Sequence, residues 1–173
     1  MKNLFCILVV GAVLEMGTSQ SKQCLTIDFE SFENTNPTEG LLISDQFLNQ
    51  FGVTFELENG SFPVLARTGS PQTAFSSMYG SDTPAPNQNI GTFFITDDGK
   101  LLGLQSIPLI VRFINPVDSV SAIILDMDFD ETFTVEARDE KDVPIFTKII
   151  KAGDNLTGDG LATPFGFNLE GCV

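Results

Sequence analysis

An all-β fold of antiparallel sheets packed as a β-sandwich is what this sequence predicts, and three features carry the prediction. Between Pro108 and Asp159, apolar and polar residues alternate with a period of two in successive short runs. Acidic or Gly- and Asn-containing turns divide those runs. Little of the chain carries a helical period, so roughly eight or nine short strands fit a jelly-roll better than an α/β fold.

The first strand is expected at Leu25, Ile27 and Phe29, which alternate with Thr26, Asp28 and Glu30. A loop rich in Asn, Thr, Pro and Glu covers 31–40. Residues 41–51 have mixed periodicity and room for a short helical turn near 45–49, after which Gly52 releases the chain into a strand over 53–58. Asn59 and Gly60 mark a tight turn, and 62–67 return as a strand. The segment 68–88 is dense in Gly, Pro, Ser and Thr without a period; so long a loop is commonly functional or poorly ordered. Residues 90–96 form the next strand, turned by Asp97, Asp98 and Gly99.

Leu109, Val111 and Phe113 alternate with Ile110, Arg112 and Ile114 until Asn115 and Pro116 break the strand. Residues 119–129 follow, with Ile123, Leu125, Met127 and Phe129 expected on one face and Asp126, Asp128 and Asp130 on the other. Phe133, Val135 and Ala137 alternate with Thr132, Thr134, Glu136 and Arg138; an acidic turn covers 139–142, a strand 145–150, a loop 152–160 and a last strand 165–169. There is no internal repeat and no linker.

The amino end assigns the compartment. Lys2, the apolar run from Leu4 to Leu14 and the small residues Gly17, Thr18, Ser19 and Ser21 read as a secretory signal peptide over residues 1–21. The run stops at Glu15, short of the roughly 18 apolar residues a membrane span needs. Ser21, Lys22 and Gln23 before Cys24 do not suit lipid attachment. The rest, residues 22–173, is one domain of about 150 residues, long enough to bury a sizeable core. No later apolar stretch could span a bilayer, so a secreted, extracellular product without stable membrane insertion is expected.

Release of the signal also removes Cys6 and leaves Cys24 and Cys172 near the two ends, where thiols oxidise readily. A disulfide between them is expected to stabilise the fold by about 5 kcal/mol in the chain-entropy picture; the alternative is two unpaired thiols.

With 23 acidic and 9 basic residues the net charge is −14, which disfavours nucleic acid and anionic membrane and leaves divalent cations and basic partners compatible. The chain has no His, and no nucleophile stands beside a base; no phosphate loop is present and no pair of carboxylates is singled out. Catalysis is therefore not expected. Sixteen Phe supply the aromatic bulk, whereas Trp is absent and Tyr79 is the only Tyr. That composition argues against a strong sugar-stacking surface.

Several phrases resemble those of secreted bacterial β-sandwich domains found among proteins of the PEP-CTERM class. They are Thr26-Ile27-Asp28-Phe29-Glu30, Ile43-Ser44-Asp45-Gln46-Phe47 leading to Phe51-Gly52-Val53-Thr54-Phe55, Val111-Arg112-Phe113 with Pro116-Val117, Asp126-Met127-Asp128, Glu131-Thr132-Phe133-Thr134-Val135, and Gly153-Asp154 with Thr157-Gly158-Asp159-Gly160. Each is short, but together they cover most of the chain. The resemblance implies a jelly-roll similar to galactose-binding-like or carbohydrate-binding modules, displayed outside the cell and without an established activity. Two departures stand out. There is no Pro-Glu-Pro segment with a following apolar helix and basic tail, and similar domains usually continue into further strands, so either a truncated domain or a shortened carboxyl-terminal edge is expected here.

Two candidate sites follow. Asp126, Asp128 and Asp130 with Asp154 and Asp159 could supply the oxygen ligands of a calcium ion, and by resemblance jelly-roll modules often carry one such structural ion. The Asp-x-Asp-x-Asp run is not an EF-hand, since Glu131 and Ala137 occupy the positions that need Gly and a bidentate Glu; the alternative is a solvated acidic face. A glycan or matrix site would lie on the loop 76–89, where Tyr79, Asp82, Asn87, Gln88 and Asn89 offer stacking and hydrogen bonds; the alternative there is an ordinary surface loop. Asn59-Gly60-Ser61 and Asn155-Leu156-Thr157 are glycosylation sequons. The expected function is a non-catalytic binding module for carbohydrate or matrix. Its rival is a structural or adhesive extracellular protein without a small ligand.

Overall fold

The computed structural model describes residues 10–14, 23–68, 88, 90–97, 107–125, 127, 131–151 and 160–168, with backbone alone for 10–14 and 23–24. Strands dominate: β1 Val10–Leu14, β2 Gln23–Ile27, β3 Val53–Leu57, β4 Val64–Arg67, β5 Phe93–Thr96, β6 Leu109–Phe113, β7 Ser119–Leu125, β8 Thr132–Arg138, β9 Pro144–Lys151 and β10 Ala162–Asn168. The single helix among the described residues is α1, Leu48–Phe51. All strand pairings are antiparallel, in one sheet ordered β10-β7-β1-β2 and in the pairs β3-β6, β4-β5 and β8-β9. The all-β, antiparallel expectation holds.

The β3-β6 pair follows the written alternation. Val53, Phe55 and Leu57 are buried and lie opposite Phe113, Val111 and Leu109. The other face pairs Thr54 with Arg112 and Glu56 with Ile110; Arg112 Nη2 and Glu56 Oε1 sit 2.6 Å apart at the surface, a contact worth at most about 1 kcal/mol. Gly52 ends α1 in the left-handed conformation at φ 68°, its N–H donating to Leu48 O at 2.9 Å, and the chain enters β3 at once.

The Asn59-Gly60 turn does not make a hairpin of β3 and β4. Leu57 N–H donates to Ser61 O at 2.8 Å, closing a small loop, and Pro63 then has no N–H for a ladder. Pro63 O instead accepts from Ile43 N, and Leu65 N–H donates to Leu41 O, so 40–43 runs beside β4. The strand expected over 90–96 begins only at Phe93, because Gly91 adopts φ 78°.

The first strand also stops early, at Ile27. Phe29 has φ 59° and is fully buried. Its ring meets Phe47 edge-on at 5.6 Å and Phe55 at 5.7 Å. Around this group the main core gathers Ile27, Val53, Leu65, Ile95, Ile124 and Phe165, from both the four-stranded sheet and the smaller ones.

β7 departs from the one-faced pattern written in its sequence. Ala122 and Ile124 join the main core, while Ile123 and Leu125 pack with Ala66, Ile90 and Phe94 in a second cluster. The regular strand ends at Leu125, and Met127 turns back into the main core. Met127 therefore does not share a face with Ile123 and Leu125. An interior strand buried on both sides loses the alternation that marks a half-exposed one.

β8 and β9 pair antiparallel over Thr132–Arg138 and Pro144–Lys151. Phe133 and Val135 pack on the core, and Phe146 stacks on Phe167 of β10 at 5.0 Å. The hairpin's other face leaves Ile149 61% exposed. Replacing it with Thr, Ile149→Thr, is expected to change unfolding free energy by no more than about 0.5 kcal/mol in urea titration, as for other exposed sites.

Candidate functional site

Described strand ends bring together the segments that carry the candidate residues. Leu125, which directly precedes Asp126, pairs with Ala162, three residues after Asp159. Thr132 pairs with Lys151 at the opposite ends of the same two connections. Each of the acidic stretches 126–130 and 152–159 thus leaves from a point that adjoins the return of the other. Their sequences place Asp126, Asp128, Asp130, Asp154 and Asp159 within these two connections, all outside the described residues.

A third segment meets the same corner. Gln88 Oε1 accepts from Ala162 N–H at 3.0 Å, and Ile90 is buried against Leu125 and Ala162 in the second cluster. Gln88, near the carboxyl end of the long 69–89 segment, is therefore bonded where one acidic connection begins and the other ends. Of the residues proposed for a glycan, Tyr79, Asp82, Asn87 and Asn89 lie outside the described residues, and Gln88 is half-buried. The Gln88 amide oxygen serves the fold. Sequence could have indicated this: in extended chain Gln88 shares a face with Ile90, an apolar residue that must go inward.

Among the described residues no three His, Cys, Asp or Glu side chains converge on a metal position. Cys24 is in β2, opposite Val13, and Cys172 lies outside the described residues. No described helix is long and apolar enough to cross a membrane. A shallow surface recess lined by Leu57, Pro63, Ile95, Thr96, Asp97, Ile107 and Leu109 encloses about 0 Å³ of space for a water molecule. It is smaller than the few hundred Å³ typical of ligand pockets, and Asp97 Oδ2 there accepts from Ile107 N at 2.9 Å, tying down the chain before β6.

Glu30 is the polar residue whose role the sequence did not announce. Its Oε1 accepts from Thr92 N and from Phe93 N, the latter at 2.9 Å, fastening the end of β2 to the start of β5. Gly91 makes this possible, since a Cβ there would strike the same carboxylate oxygen. Asn59, the described sequon residue, is exposed in its turn, with Oδ1 accepting from Ser61 N at 3.0 Å and Ser61 Oγ at 2.7 Å. Asn155 lies outside the described residues.

Comparison of the chain with protein-family models, with curated proteins and with solved structures finds no match in any of the three.

Proposed function

We propose that this chain is a secreted, non-catalytic jelly-roll module that binds carbohydrate or an extracellular matrix component through loops at one end of its sheets, with a structural Ca²⁺ held between the two acidic connections. The supporting observation is the convergence of the three loop-bearing segments: Leu125 pairs with Ala162, and Ala162 N–H is also bonded to Gln88. Two acidic connections whose flanking residues are paired at both ends favour a hard cation that takes six to eight oxygen ligands. A strongly negative chain of this kind is a poor partner for nucleic acid.

The test is thermal unfolding of the oxidised chain in Ca²⁺ and in EDTA, followed by a glycan array. At Ca²⁺ about 100-fold above Kd the gain is about 2.7 kcal/mol, or a rise of roughly 5–10 °C for a domain this size. Asp126→Asn combined with Asp159→Asn should abolish the rise. An unchanged melting temperature would return the acids to the solvated surface, and an array without binding would remove the carbohydrate.

The structural or adhesive reading draws on a different observation. Val143, Ile145 and Ile149 are exposed on or beside β9, whose outer edge has no partner strand among the described residues. Oligomers that grow with concentration and ignore added sugar would favour it.

A further inference from the structure

The position of β1 conflicts with what its sequence encodes. Val10–Leu14 belongs to the apolar run that reads as the core of a secretory leader, yet it is an interior strand. It pairs with β2 from Val10↔Ile27 to Leu14↔Gln23, and with β7 from Gly11↔Ser121 to Val13↔Ser119. Release of residues 1–21 would withdraw a strand that has partners on both sides.

Of the walls it leaves, β7 keeps a second ladder, while β2, which has β1 as its only strand partner among the described residues, is held from its carboxyl end. Ile27 is in the main core, Phe29 follows in the aromatic group, and Glu30 is bonded to the start of β5. On the other side Ala122 and Ile124 belong to the same core, and β7 keeps its whole ladder with β10. Because β1 is antiparallel to both neighbours, β2 and β7 run parallel to each other, two strand spacings or about 9–10 Å apart. Closing that gap would require β2 to leave its packing and pair in the opposite sense. The gap would therefore keep the width of one strand, with unpaired backbone N–H and C=O groups along both walls.

We propose that in the leaderless chain the slot between β2 and β7 is an acceptor for an extended, uncharged apolar segment of a second polypeptide, which enters antiparallel to both walls in the register of Val10–Leu14. The chemistry of the occupant follows from the slot. The described wall residues Leu25, Thr26, Ile27, Ser119, Val120 and Ser121 include no charge, and neither does the strand that fills it in the full chain. Backbone bonds to two walls give affinity, and the apolar pattern gives selectivity.

The proposal rests on the leader reading for its occurrence in nature, but its test does not. A protease site replaces residues 17–21 of the full chain, which is folded intact and then cut. A fluorescent synthetic peptide of residues 8–16 is added, and incorporation is followed by anisotropy and native mass spectrometry. The expected result is one peptide per cut chain, no incorporation into uncut chain, and at least tenfold weaker incorporation of the same peptide carrying Ala12→Pro, which removes a backbone donor in mid-strand. Equal labelling of cut and uncut chain, or indifference to the proline, would overturn the proposal. So would a cut chain that, stripped of its amino-terminal piece and refolded alone, keeps its melting temperature and takes up no peptide, since β2 and β7 would then have closed on each other.

Discussion

Phe29→Ala is expected to lower the unfolding free energy by about 3–5 kcal/mol, the usual loss when a fully enclosed Phe is removed. The ring sits at the junction of the four-stranded sheet and β3, with edge-on contacts to Phe47 and Phe55 that themselves meet at 6.0 Å. Aromatic pairs of this geometry add roughly 0.5–1.5 kcal/mol beyond burial, so no single neighbour can collapse to replace them. The backbone sharpens the test. Phe29 is held at φ 59°, where a Cβ is unfavourable by about 1–2 kcal/mol and glycine is not. Phe29→Gly should therefore be less damaging than Phe29→Ala by about 1 kcal/mol, the reverse of the order expected in an ordinary strand. Urea titration of both variants reads the difference directly. Alanine better than glycine would mean that residue 29 does not occupy the left-handed region.

The second large effect is at Glu30. Hydrogen bonds to an ionised acceptor contribute about 1.5–3 kcal/mol, and here one carboxylate oxygen serves two backbone donors, from Thr92 and Phe93. Glu30→Ala is expected to cost about 2–3 kcal/mol, whereas Glu30→Gln, which keeps an oxygen acceptor without the charge, should cost roughly half of that. Gly91→Ala attacks the same junction from the other side. Its Cβ would strike the Glu30 carboxylate, and its φ of 78° disfavours any side chain. Since part of that penalty is the collision, the Glu30→Ala, Gly91→Ala double variant should be less unstable than the sum of the singles, with a coupling of at least about 0.5 kcal/mol in a double-mutant cycle. Strict additivity would show that the two residues do not meet.

Much of the fold was legible because half-exposed strands announce themselves. β3 buries one face and β6 and β8 partly bury one, so Val53, Phe55, Val111 and Phe133 alternate visibly with Thr54, Glu56, Arg112 and Thr134. β7 was legible as a strand but not in its orientation. It is apolar on both faces, and only the burial of Ile123 and Leu125 with Ala66 and Phe94 distinguishes the two clusters. Breaks caused by backbone conformation were hidden for another reason. Phe29 and Gly91 interrupt patterns that continue smoothly in sequence, and their positive φ values flank the long-range contact of Glu30 with Thr92 and Phe93. The pairing of β1 was not legible at all, since its apolar run has a sufficient explanation as a leader.

For the candidate site, sequence identified the acidic connections and the polar loop but could not relate them. Partners as distant as Gln88 and Ala162 share no local signal. What joins them is register: Leu125 opposite Ala162 and Thr132 opposite Lys151 pair the residues that flank the two acidic connections.

Hydrogen–deuterium exchange of the full oxidised chain, in Ca²⁺ and in EDTA, examines the proposed calcium site most directly. Added protection confined to residues 126–130, 152–159 and the neighbouring end of 69–89 is the expected result. Exchange that is unchanged by Ca²⁺, or altered only in segments remote from the Leu125 and Ala162 pair, would contradict it.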